Sequence, residues 1–143
     1  MLIALGYGPY NRHFRPNRTP IDWLCRNEES VDEYIDSPLC GMPLTNRFYR
    51  NLAGGFLFII KKSNQQQIPA GTRVLIMAGE DDPAGLFGKA PRIISRQLSR
   101  NAGALVDLKL YPGARHEVLN EINREEVYSD LLEWMREKIV VSR

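Results

Sequence analysis

No apolar run in this chain approaches the roughly 18 residues a membrane-crossing helix requires, so stable membrane insertion is not expected. The opening Met1-Leu-Ile-Ala-Leu5 lacks the basic lead and the length of an export signal, and a cytoplasmic location is the expectation. Cysteine is scarce. Cys25 and Cys40 have no CxxC spacing and too few companions for a zinc site, and two such thiols are expected to be reduced and unreactive. A strong charge of either sign is missing too, since 19 Lys and Arg face 17 Asp and Glu. The densest basic cluster, Arg12, Arg15 and Arg18, is interrupted by Pro16 and Asn17, a footprint too weak to suggest nucleic acid as a partner. Internal repeats are absent, and Gln65-Gln66-Gln67 is too short to count as low complexity.

What is present fits one soluble domain: 143 residues, 43% hydrophobic and 25% charged. Before Thr45, Gly6, Gly8, Pro9, Pro16, Pro20, Pro38, Gly41 and Pro43 leave no room for a long regular element. A short helix fits Glu28 to Ile35, with Val31, Tyr34 and Ile35 on one side. Thr45 is the expected N-cap of a longer helix reaching about Lys62, weakened at Gly54-Gly55, and Ser63 to Gln67 reads as a polar loop.

From Thr72 the pattern becomes regular. Val74-Leu-Ile-Met-Ala78 is apolar throughout, as in a strand buried on both faces of a parallel sheet. A helix follows with Pro91 in its first turn and Ala90, Ile93, Ile94 and Leu98 as its stripe, stopped by Gly103. Leu105 to Leu110 alternates as a second strand. Asn123 and Glu126 suggest a capping box for a last helix whose buried stripe is Val127, Leu131, Met135 and Ile139. The order β-α-β-α with short connections argues for an α/β fold with parallel strands.

Two residues then fall at the carboxyl ends of adjacent strands, where α/β sheets gather their active sites. Asp82 belongs either to a plain polar turn or to an acid that orients a histidine. His116 is either a surface residue of a loop or a general base. Taken together, Asp before His one βα unit apart matches the second half of the Ser…Asp…His order of α/β-hydrolases. The first half of that order is lacking. None of the seven serines has a glycine two residues away on either side, and there is no His-Gly-Gly-type loop to supply oxyanion donors. A signalling receiver domain, suggested by acidic residues after an apolar strand, fares poorly because its acidic cluster belongs on a first strand followed by others.

Longer stretches carry a resemblance. Leu110-Tyr-Pro-Gly-Ala-Arg-His-Glu-Val-Leu-Asn-Glu121, continued by Asn123-Arg-Glu-Glu-Val-Tyr128, resembles the C-terminal end of bacterial α/β-hydrolases of the monoacylglycerol lipase and lysophospholipase type, also classed as serine aminopeptidase S33. Gly79-Glu-Asp-Asp-Pro-Ala-Gly85 is similar to that family's acid loop. Asn17 to Thr19, Asp22 to Leu24, Asp36 to Gly41 and Thr45 to Leu52 are similar to its cap.

The resemblance implies the C-terminal portion of an α/β-hydrolase, with residues 1–70 as a cap- or lid-like region and 71–143 as the closing βαβα of the core. It implies Asp82 and His116 as triad acid and histidine, a serine on a preceding N-terminal half, and no metal or organic cofactor. The substrate would be an acyl ester or lipid, its chain sheltered by Phe14, Trp23, Phe48, Tyr49 and Phe56. The chain would thus be either part of a serine hydrolase of carboxylic esters or a non-catalytic remnant that needs a separately encoded N-terminal half.

Overall fold

A computed structural model describes residues 9–140. The run Met1 to Leu5, Gly6, Gly8 and the side chain of Ile139 lie outside the described residues. After a 3-10 turn at Tyr10–Phe14 come α1 (Glu28–Asp36), α2 (Asn46–Ile59), α3 (Lys62–Gln65), β1 (Arg73–Gly79), α4 (Lys89–Ala102), β2 (Leu105–Tyr111), a 3-10 turn at Val118–Asn120 and α5 (Arg124–Met135). The two strands pair in parallel, with Arg73 opposite Leu105 and Gly79 opposite Tyr111. The arrangement is α/β, as the sequence suggested.

Local chemistry explains most of the boundaries. The Asn27 side chain accepts from Ser30 N and Thr45 Oγ1 accepts from Phe48 N at 3.2 Å, each satisfying one orphan donor of a helix start. α4 stops at Gly103, whose left-handed backbone returns its N–H to the Leu98 carbonyl. Helix α2 runs through Gly54-Gly55, because its own hydrogen bonds outweigh the roughly 1 kcal/mol that each glycine costs. It ends at Ile59 and not near Lys62. There the side-chain amides of Asn64 and Gln65 donate to the Phe58 and Ile59 carbonyls and so satisfy the helix end.

Three expectations are corrected. The polar stretch Ser63 to Gln67 is not simply loop, since α3 covers part of it and the buried Gln65 accepts from Asn101 of α4 at 2.6 Å. Asn123 makes no side-chain cap bond to its helix. Its oxygen accepts instead from Arg26 Nη2 at 3.0 Å and its amide donates to the Glu126 carboxylate. The stripes are also drier on paper than in space. Val74 to Ala78 is only half buried, Ile93 and Ile94 of α4 are exposed, and on α5 Val127 is fully buried while Met135 is exposed. Among the described residues, two strands give too little sheet for the helices to cover.

The core that does close consists of Tyr111, Ala114, Val118 and Val127, with Met77 packed against it. It lies beneath the carboxyl ends of the strands, under the loops that carry Asp82 and His116. A second buried group, Trp23, Leu24 and Cys25, lies in the irregular segment before α1. That segment is ordered by polar side chains: Asn11 donates to Thr19 O and accepts from Trp23 N, and Asp22 accepts from Arg18 N and Thr19 N.

Candidate active site

The acid loop leaves β1 at Gly79 and is stitched at once to the histidine loop leaving β2. Glu80 N donates to Tyr111 O at 3.0 Å and Asp81 N to Ala114 O at 2.9 Å. The loops pass so closely that a Cβ at Gly79 would lie 2.1 Å from the carbonyl oxygens of Ala114 and Arg115. Only glycine fits there. The next turn folds over the carboxylate of Asp82: Ala84 N donates to Oδ1 at 2.8 Å, and a Cβ at Gly85 would come within 2.9 Å of Oδ2. Leu86 and Phe87 then adopt left-handed backbone with φ of 53° and 54°, an uncommon pair that ends where Phe87 N meets Asp82 O.

Asp82 is 6% exposed, and its Oδ2 lies 3.1 Å from His116 Nδ1. Asp81 is exposed and takes no part in this contact. A buried carboxylate facing Nδ1 fixes the neutral imidazole with its proton on Nδ1 and its lone pair on Nε2. Burial acts to raise the Asp82 pKa, but the hydrogen bond and charge of His116 and the backbone N–H groups of Ala84 and Gly85 outweigh it and hold the carboxyl below its ordinary value. The hydrogen bond to Asp82, opposed by partial burial, raises His116 above the ordinary imidazole value.

His116 is held from the front segment as well. Glu117 N donates to Leu24 O at 2.8 Å, and the Trp23 ring lies 5.0 Å from the imidazole, tilted by 45°. Arg115 stacks its guanidinium over Phe14 at 4.1 Å and donates to the carbonyls of Asp22 and Cys25. The imidazole borders a cavity of about 670 Å³ lined chiefly by apolar side chains, among them Trp23, Leu24, Leu39, Met42 and Tyr49.

Of the five aromatic residues expected over the site, Trp23 and Tyr49 line this cavity. Phe14 serves Arg115, Phe48 packs edge-on against Tyr49, and Phe56 is exposed on α2. Glu121 escaped sequence reasoning altogether. It is fully buried and accepts from Arg26 N, Arg26 Nε, Arg115 N and Ile122 N. The one signal available was its place at the end of the stretch that carries His116.

An acid and a histidine on neighbouring parallel strand ends define the C-terminal part of an α/β-hydrolase fold. A family model described as serine aminopeptidase, S33 (Hydrolase_4) matches residues 3–123, and the chain belongs to that family. Among solved structures it is similar to a thermostable carboxyl esterase from Bacillus coagulans crystallised with glycerol, with 22% identity, a TM-score of 0.85, and 95% of this chain covered. It is likewise similar to a lipase in its open form, with 30% identity, a TM-score of 0.85, and 99% of this chain covered. It spans 44% and 46% of those two chains.

Proposed function

We propose that this chain carries the acid and the general base of a serine hydrolase of carboxylic esters, monoglyceride- or lysophospholipid-like in substrate. Asp82 orients His116. Nε2 of His116 takes the proton of a serine hydroxyl as that serine attacks the ester carbonyl, then returns it to the departing alcohol. The serine and the oxyanion donors come from an N-terminal half. The cavity beside the imidazole has the apolar lining that an acyl chain needs, and residues 1–70 serve as its cap. The observation that carries this reading is the 3.1 Å contact of Asp82 with the nitrogen of His116 that faces away from Nε2.

A second reading, a remnant or split half that is inert alone, is favoured by the two-stranded sheet of the described residues and by the exposed apolar residues of α2. Purified chain mixed with a separately expressed half bearing a Gly-x-Ser-x-Gly elbow tests both. Turnover of p-nitrophenyl esters that requires both halves and vanishes in His116→Ala supports the proposal. Stable association without turnover supports the inert reading, and absence of association counts against both.

A further inference from the structure

The loop from Pro112 to Glu117 contains no regular structure, yet it carries the imidazole that faces Asp82. Backbone bonds to Leu24 O and from Asp81 N restrain it, and one buried side chain ties it to the front segment as well. Glu121 is 0% exposed, and its carboxylate takes four N–H donors. Two belong to the front segment: Arg26 N at 3.2 Å on Oε1 and Arg26 Nε at 2.8 Å on Oε2. Two belong to the histidine side: Arg115 N at 2.7 Å on Oε1 and Ile122 N at 3.2 Å on Oε2. Each oxygen thus bridges one donor from the front to one donor from the back.

Arg26 is held in turn by Asn123 Oδ1 at 3.0 Å, which fixes the guanidinium plane. The bridge ends on the residue immediately before His116. The front segment it anchors supplies the Leu24 carbonyl that holds Glu117 and the Trp23 ring that flanks the imidazole. His116 is therefore gripped on both sides by backbone whose position depends on Glu121.

We infer that Glu121 is a positioning residue: clamped by Arg26 and Arg115 N, it sets the aim of His116 at Asp82. The inference rests on the reading of the Asp82–His116 pair as acid and base. It is tested by a signal independent of turnover, so the two can fail separately. The charged groups around the imidazole are Asp82 from the acid loop and Glu117 and Arg115 from its own loop, and Glu121 acts on it only through the backbone.

The measurement is proton–nitrogen NMR of the whole chain labelled at histidine nitrogen, with His13→Gln used to assign the rings. Asp82→Asn defines loss of the anionic acceptor: the His116 Nδ1–H resonance shifts or disappears and the titration falls toward the ordinary imidazole value. Glu121→Gln has nearly the same shape, but its NH₂ group cannot accept the donors that one carboxylate oxygen now holds. It is expected to move both signals in the same direction as Asp82→Asn while amide protection of β2 and α5 is retained. Glu121→Asp, which keeps the charge on a shorter arm, is expected to restore part of the signal. If Glu121→Gln does not fold, Arg26→Lys, which keeps the charge and the backbone donor but loses the planar fork, is read in the same way. Unchanged His116 signals in the folded variant, or changes that come only with loss of β2 protection, overturn the role of Glu121. Unchanged signals in Asp82→Asn overturn the acid–histidine pair itself.

Discussion

Around Asp82, His116 and Glu121 the polar groups are paired, and no buried side-chain nitrogen or oxygen among the described residues lacks a partner. Helix α2 is built in the opposite way. It contains no buried residue, and Phe48, Leu52, Phe56, Leu57, Phe58 and Ile59 are all exposed. The sheet resembles α2 more than it resembles the loops, since among the described residues β1 has one neighbour and its apolar run is half buried. Completeness in this molecule is therefore local. The loops satisfy one another within the chain, whereas the apolar surfaces are shaped for cover that the described residues do not supply.

The sharpest break in that comparison is catalytic. The chain alone is expected to leave p-nitrophenyl esters at background and to leave a fluorophosphonate probe unbound, because no serine stands in an elbow. Joined to a serine-bearing half, it is expected to turn over, and His116→Ala then costs on the order of 10⁴-fold or more in kcat. Labelling of a serine in the isolated chain, with turnover lost in His116→Ala, would sink the claim.

The next effect is on stability. Val127→Ala empties a fully buried site in the closed core and is expected to cost about 1.5–3 kcal/mol, seen as a lower urea midpoint. Phe56→Ser on α2 is expected to cost less than about 0.5 kcal/mol and to reduce self-association in sedimentation. Equal costs at the two positions would show that α2 is packed after all. Amide exchange follows the same line: Leu75 to Met77 is expected to exchange readily in the chain alone and to become protected when the serine-bearing half is added. Strong protection in the monomeric chain would contradict the open edge.

How much of this was legible beforehand depended on the span of the interactions concerned. Asp82 and His116 could be read because strand, turn and residue type lie within a few positions of one another. The strands and α4 could be read for the same reason. The Glu121 clamp could not, because its partner Arg26 lies 95 positions away, and a buried Glu looks like any solvated Glu in sequence. Asn123 reads in sequence as a simple cap, but Arg26 competes for its oxygen. Full burial of the apolar stripes was expected from periodicity, which reports which face is apolar and not how much sheet there is to cover it.

A further effect concerns pH. The raised His116 adds stability that is present below its unfolded value and lost as pH rises through its folded value. The lowered Asp82 adds stability that is present above its unfolded value and lost as pH falls through its folded value. Their ionic attraction is therefore complete only between about pH 4 and 6.5. Because the His116 side chain is 41% exposed, screening keeps the effect of Asp82→Asn within about 1 kcal/mol. Urea midpoints of wild type and Asp82→Asn are expected to differ most near the middle of that window and to converge at higher pH, whereas Asp81→Asn leaves both unchanged.

The crossing at Gly79 has a consequence for how such a site can be moved. With the acid loop threaded against the Ala114 and Arg115 carbonyls, and with Arg115 tied to the front segment, Asp82 and His116 cannot be exchanged singly. They form one cassette, and among the described residues the outer edge of β1 is left without a strand partner. Any sheet offering a strand to that edge would receive Asp82 and His116 already in contact. Replacing one loop at a time would deliver neither.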